Sequence, residues 1–295
     1  MVNGMRSWRR GLSEQALATV VMAVYNKPRE LKLCLEAYRR QSILNSSPQG
    51  FELLLADDGS SPEIEEIFAE FSRSVSFPTL YLRQDDNGWG KLRMLNWSVI
   101  ESFCPIIIFT DGDCLPHRNF VSAHLRHLEE GFVSCGRRVD MMESLASKFC
   151  VVDLKAGKLE SWQWILRHIL DGGAEFGEQG LYLPAHLVRA LTFFSKNKTP
   201  TLVGSNFSLH KKWLYELNGF DETFRTPGLG EDTDIERRMK KIGLKMKWVT
   251  YRAIQFHLWH PLQVVGETSH RTYEELKIKD NDKALIGLNE LQAIL

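Results

Sequence analysis

"IIIFTDGDCLPH", residues 106–117, is an apolar run that stops at two acids, Asp111 and Asp113, with only Gly112 between them. A run this short and this rich in β-branched residues reads as a strand buried on both faces, as in a parallel sheet covered by helices. Two carboxylates so close repel one another unless a cation neutralises them. Mg²⁺ or Mn²⁺ would do so, completing its shell with phosphate oxygens and water. Asp111-Gly112-Asp113 therefore reads as a metal-diphosphate site. Its place at a strand end carries that reading, since such triplets also arise by chance in turns. His257 or His260 of "FHLWHP" could add an imidazole, which suits Mn²⁺, while the other packs structurally beside Trp259.

Outward from this strand the same unit repeats. "ATVVMAVYN" stops at Tyr25-Asn26, and Leu31, Leu35 and Tyr38 behind Pro28 then follow helical spacing. "FELLLADDGSS" stops at Asp57-Asp58 before a helix with Pro62 near its start, and "TLYLRQDD" precedes the helical "GKLRMLNWSVIESF". Strands alternating with helices predict an α/β fold with a mostly parallel central sheet and helices on both faces. Ligands of such sheets bind outside the carboxyl ends of the strands, where Tyr25, Asp57, Asp58, Asp111 and Asp113 all fall. Asp57 and Asp58 also have a plainer role as caps for the helix that follows.

Farther along, "FVSCGRRVDMM" and "TLVGSNFSLH" predict strands, and "GEDTDIERRMKK" a helix whose first turn holds Glu231, Asp232 and Asp234. Acids favour a helix start through the macrodipole alone, but one facing the bound substrate could be a general base. Residues 143–198 lack a clear period and read as a variable, partly helical insertion.

Composition narrows the classes. A chain of 295 residues that is 43% hydrophobic can bury a large core, and 37 basic against 37 acidic residues leave no global attraction for nucleic acid. Five cysteines without CxxC spacing argue against a disulfide framework or zinc site and fit a reducing cytoplasm. No apolar run reaches the length of a membrane span. Two segments could touch the inner face of a membrane: the basic tail 1–17 with Arg6, Arg9 and Arg10 around Trp8, and the C-terminal Leu285, Leu288, Leu291 and Leu295 at helical spacing. The plainer expectation is a disordered tail at one end and packing on the domain at the other.

"VVMAVYNKP", "LLLADDGSS", "NGWGKLRMLNWSVI", "FTDGDCLPHRNF", "SCGRRVDM", "VGSNFSLHKKWLYELNGFDETF", "GEDTDIERRM" and "FHLWHP" occur in the order and spacing of a bacterial family 2 glycosyltransferase of the GT-A fold. Over residues 18–262 the chain resembles in particular the branch with a galactosyltransferase-like "NGFDE…GED" module. The resemblance implies a GT-A domain over 18–265, with a nucleotide-binding half (18–115) and an acceptor half (116–265), followed by a helical extension over 266–295. It further implies a UDP-sugar donor, a divalent metal, a bacterial glycan as acceptor, and transfer of a hexose or N-acetylhexosamine with inversion. By the same resemblance Tyr25 of the "YN" pair, with Asn26 beside it, stacks on the base, and Asp58, next to Asp57, accepts the uracil imide hydrogen. Lys91 and Arg93 reach the diphosphate or ribose. Asp111 lies near ribose or metal, and Asp113 binds the metal with His257 or His260. Asp232 is the base and Glu231 holds the acceptor hydroxyl.

Two departures stand out: Gly90 replaces a basic residue of the relatives' "GFRK", and Pro227 and Leu229 replace residues of their "GWGxED". A nucleotidyltransferase would want a glycine-rich loop after the first strand, which "VYNKPRE" lacks; a dehydrogenase would want GxGxxG there. A catalytically silent binding module is the remaining alternative, disfavoured because both "DGD" and "GED" keep their acids.

Overall fold

The computed structural model describes residues 4–11, 15–47, 49–183, 187–188, 199–228, 231–261 and 267–295, without the side chains of Glu231 and Glu267. Leu229 and much of the end of the 143–198 insertion lie outside the described residues.

Strands β1 (Met5–Arg10), β2 (Thr19–Val24), β3 (Glu52–Asp57), β4 (Thr79–Gln84) and β5 (Ile106–Asp111) form one side of an eight-stranded sheet. The chain leaves that sheet at Asp111 and joins a second, four-stranded sheet as β6 (Cys114–Pro116). It returns as β7 (Phe132–Cys135), leaves again at Gly136 as β8 (Arg137–Met141), and adds β9 (Ala174–Glu175). β10 (Phe207–His210) and β11 (Lys245–Trp248) lie in the large sheet, and β12 (Ile254–His257) makes the third crossing into the small one.

The large sheet runs β1-β4-β3-β2-β5-β10-β7-β11 and the small one β6-β12-β8-β9. Pairs β4/β3, β3/β2, β2/β5 and β7/β11 are parallel, and β1/β4, β5/β10 and β10/β7 antiparallel. Along β2, Val20 and Met22 face one core while Val21 and Ala23 face the other, the alternation of a strand buried on both sides. Helices α1 (Pro28–Arg39) and α2 (Pro62–Arg73) cover the first face, and α3 (Lys91–Glu101) the second. Downstream, α4 (Phe120–His127) follows β6, and the insertion holds α5 (Glu143–Ala146), α6 (Val151–Lys155) and α7 (Trp162–Leu170). After β10 come α8 (Lys211–Glu216), α9 (Glu231–Lys241), α10 (Glu267–Lys279) and α11 (Leu288–Gln292).

The N-terminal end differs from expectation, and the C-terminal end packs on the domain in part. The basic tail is not disordered between residues 5 and 10: it is the edge strand β1, paired antiparallel with β4. Trp8 stacks on Tyr81, Arg9 pairs with the buried Glu52, and Arg10 donates to the Val75 carbonyl at 2.9 Å, so these residues are engaged within the fold. At the other end Leu288 and Leu291 are buried against the core that α3 covers, whereas Leu285 precedes Gly287 outside the helix and is exposed, as is Leu295. "FVSCGRRVDMM" is two strands rather than one, because it changes sheets at Gly136. "TLVGSN" is not strand at all: a turn ends in Asn206, whose amide donates to the Arg137 carbonyl at 2.7 Å and the Ala253 carbonyl at 2.9 Å.

A candidate active site at the seam of the two sheets

All three crossings happen at the same edge. They bring Asp111 and Asp113 (β5 to β6), Arg138 and Asp140 (β8), and His257 and His260 (β12 and beyond) to one seam. Most of these residues line a cleft of about 520 Å³, whose other walls include Tyr25, Asn26, Lys27, Asp58, Trp89, Lys91 and Pro227.

The two acids of the opening stretch point to different partners. Asp111 pairs with Lys91 at 3.0 Å. Asp113 is buried, and its Oδ2 lies 2.8 Å from the Lys27 ammonium, 3.3 Å from His260 Nε2 and 3.9 Å from His257 Nε2. Burial by itself would push the Asp113 carboxyl up, but the His260 hydrogen bond and the Lys27 and His257 charges outweigh it and hold the group well below the usual carboxylate range. The same hydrogen bond raises the His260 imidazolium.

One oxygen or nitrogen from each of Asp113, His257 and His260 fits within 4.8 Å of the others, so both histidines, rather than one, join the acid. A carboxylate with two imidazoles is a donor set that Mn²⁺ accepts. His257 Nδ1 lies 3.0 Å from Asp140 Oδ1, which leaves Nε2 directed at the cluster, an arrangement common behind metal-binding histidines. Asp111 stands apart from this group, with Lys91.

The turn after β2 builds another wall. Asn26 and Lys27 both have left-handed backbone, at φ 56° and 59°, a conformation that costs a residue with a Cβ about 1 kcal/mol or more. It is held because the Asn26 amide donates to Ser60 Oγ at 2.7 Å, Asn26 Oδ1 accepts from the Ser61 amide at 3.1 Å, and the Lys27 carbonyl caps α1 by accepting from Leu31 at 3.0 Å. Next to it Tyr25 is half exposed, and its hydroxyl donates to Asp86 at 3.0 Å.

Asp57 and Asp58 divide the two roles expected of them. Adjacent residues of an extended chain point to opposite faces. Asp57 is fully buried, accepting from the Tyr81 hydroxyl at 2.6 Å and the Ser60 amide at 2.8 Å, and so has the structural task. Asp58 lines the cleft, accepts from the Gly90 amide at 2.8 Å, and is raised by burial. A Cβ at Gly90 would collide with the Gln84 amide and the Asp58 carboxylate, which explains why this loop has no room for the relatives' basic side chain.

Lys91 reaches the cleft, but Arg93 does not. Two residues along a helix are about 200° apart, and Arg93 faces Met5 Sδ at 3.8 Å in a separate hollow with Glu222 and Arg225. Asp232 is the second residue of α9, and its Oδ2 accepts from the Gly204 amide at 2.8 Å. A Cβ at Gly204 would collide with that carboxylate, so only glycine lets the loop hold it this closely. Burial pushes the Asp232 carboxyl up; the charges of Lys91 and Arg138 pull it down, and that of Asp111 raises it further.

Sequence reading missed Lys27, Arg138 and Asp140. The last two were findable: in "GRRVDM" they are two apart on a strand, hence on one face. Nothing in the sequence marked the backbone conformation that aims Lys27.

The family model described as glycosyl transferase family 2 matches residues 19–217, from β2 to the end of α8. The chain belongs to glycosyl transferase family 2. A second model, described as the N-terminal domain of galactosyltransferase, matches residues 185–261 of this family 2 chain, the part carrying Gly204, Asp232 and His257. Among curated relatives, Escherichia coli chondroitin synthase is 26% identical over 76% of the chain, and glycosyltransferase AglE of Haloferax volcanii 30% identical over 35% of it. The chain spans about a third of the length of each (32%). Solved structures with the same fold include the mannosyltransferase PcManGT from Pyrobaculum calidifontis in complex with GDP-Man and Mn²⁺ (TM-score 0.56, 13% identity, 94% of this chain and 68% of that one). S. aureus TarS 1-349 in complex with UDP is similar to the same degree (TM-score 0.56, 12% identity, 94% and 69%). The family 2 architecture here is thus the GT-A one.

Proposed function

We propose that the protein is an inverting glycosyltransferase that needs a divalent cation and moves a hexose or N-acetylhexosamine from a UDP-sugar to a hydroxyl of a bacterial glycan. The observation that carries this reading is one cleft that assembles an aromatic ring and acceptor (Tyr25, Asp58) with a carboxylate-imidazole cluster (Asp113, His257, His260), while the raised carboxyl of Asp232 lies within reach of the charges of two cleft-lining residues, Lys91 and Asp111. Tyr25 offers a face for the base, and Asp58 keeps lone pairs for an imide N–H, a pairing that favours uridine.

Asp113, His257 and His260 would hold the cation, whose chemistry is to offset charge on the departing diphosphate. Lys91, beside Asp111, adds a positive charge near the same place. Asp232 takes the proton of the acceptor hydroxyl as its oxygen bonds to the anomeric carbon; the bond from that carbon to the diphosphate breaks, and UDP leaves with the electron pair. One displacement inverts the anomeric centre. Glu231 is assigned the acceptor hydroxyl by its place beside the base.

Calorimetric titration of UDP, with GDP, CMP and ADP as controls, into metal-free protein and again with Mn²⁺ tests the donor half of this reading. UDP-selective binding that strengthens with Mn²⁺ is the expected result; no nucleotide binding under either condition overturns it. A product with the donor's own anomeric configuration, read by NMR, would overturn the role of Asp232.

A further inference from the structure

Three cations line the cleft, and each is held by a carboxylate: Lys91 by Asp111, Arg138 by Asp140 and Lys27 by Asp113. Only the last of these acids belongs to the cluster suited to a divalent ion. The contacts converge on one atom, since Lys27 Nζ, His260 Nε2 and His257 Nε2 all approach Asp113 Oδ2. An ammonium and a divalent cation cannot both bond that oxygen without strong mutual repulsion in a buried setting. The Lys27 backbone is pinned by its left-handed turn and its cap on α1, but its four-carbon stem lets the charge move while the backbone stays.

We propose that Lys27 is a displaceable counter-ion: it neutralises Asp113 until a divalent cation takes that oxygen, and the released ammonium then binds a phosphate oxygen of the nucleotide in the same cleft. The inference rests on the metal-and-nucleotide reading above. Cation alone must evict Lys27 and gains little; cation with a nucleoside diphosphate gives the ammonium a new partner. By linkage each ligand then strengthens the other.

The test measures Mn²⁺ affinity by the EPR signal of the free ion, with and without UDP, on the wild-type chain, Lys27→Met, Lys27→Arg and Asp113→Ala. Lys27→Met keeps the stem and removes the charge. It is expected to bind Mn²⁺ on the order of tenfold more tightly without UDP, and to lose most of the gain that UDP gives the wild-type chain. Lys27→Arg keeps the charge and should stay near wild type. Lys27→Asn, which tolerates the left-handed backbone, serves as the neutral variant if the methionine form does not fold. Unchanged or weaker Mn²⁺ binding in the neutral variant, while wild-type binding still depends on Asp113, overturns this inference and leaves the metal reading standing. If Asp113→Ala binds Mn²⁺ like wild type with and without UDP, both fall.

Discussion

The proposed base, Asp232, can accept a proton only while ionised, and it sits where burial makes ionisation harder. Its raised pKa fixes the sign of the pH dependence: kcat/KM should fall as pH drops through a value above the ordinary carboxylate range, because the protonated form cannot act as base. Asp232→Asn should lose at least about 100-fold in transfer and erase that acidic limb while UDP affinity stays near wild type. A variant that keeps the limb would place the base elsewhere. At this scale the sequence was partly legible. Two acids ending a buried strand pointed to the candidate site, but "DD" gave no means of telling the buried strut Asp57 from the cleft-lining Asp58. The choice depends on which side of the last strand residue each falls. Lys91 and Arg93 looked equivalent by proximity and are separated by helical geometry alone.

Elements built from hydrophobic alternation were legible, and so was the polar helix α9 from the acids in its first turn, but the polar strand β1 was not. "MRSWRR" reads as a tail because three of its six residues are arginine. Yet charged residues are what blunt the edge of a sheet, and one large ring is enough to fasten such a strand. Trp8 packs at 5.5 Å from both Phe68 and Tyr81, and its Nε1 donates to Glu65 at 3.2 Å. Trp8→Ala should lower unfolding stability by about 2–3 kcal/mol, a cost reduced from the fully buried case because the ring is only partly covered. Urea denaturation measures it; a loss under about 0.5 kcal/mol would mean that β1 contributes little to the fold. The insertion shows another limit: α7 buries Ile165 and packs Trp164 and Ile169 on the core, but nine residues between Gly-rich segments are too few to set a period.

For the molecule as a whole, the alternation of strand and helix was legible from β2 to β5 and the sheet topology was not, because the passages between sheets leave no mark except small residues at Gly112 and Gly136. Those passages are what place the metal-suited cluster: parallel pairing of β8 with β12 sets Asp140 opposite His257. If that register orients the histidine, Asp140→Ala should weaken Mn²⁺ binding by about 10- to 100-fold without changing overall stability much. Isothermal titration with Mn²⁺ and UDP would show it, and an unchanged affinity would reduce Asp140 to a partner of Arg138.

The same weaving has a consequence for recombination among relatives. β10, from the later half of the chain, lies between β5 and β7, so exchanging the donor-binding half alone would mate strand faces that never evolved together. The stretch between Met142 and Leu183 is tied in as well: Phe149, Leu154, Leu159 and Ile165 are buried in the core that α1 and α2 cover, Arg29 of α1 donates to the Ala146 and Phe149 carbonyls at 2.7 and 2.9 Å, and Arg40 pairs with Glu160 at 3.3 Å. A graft of that stretch would have to carry these contacts with it, and a chimera joined at residue 115 should fail to fold.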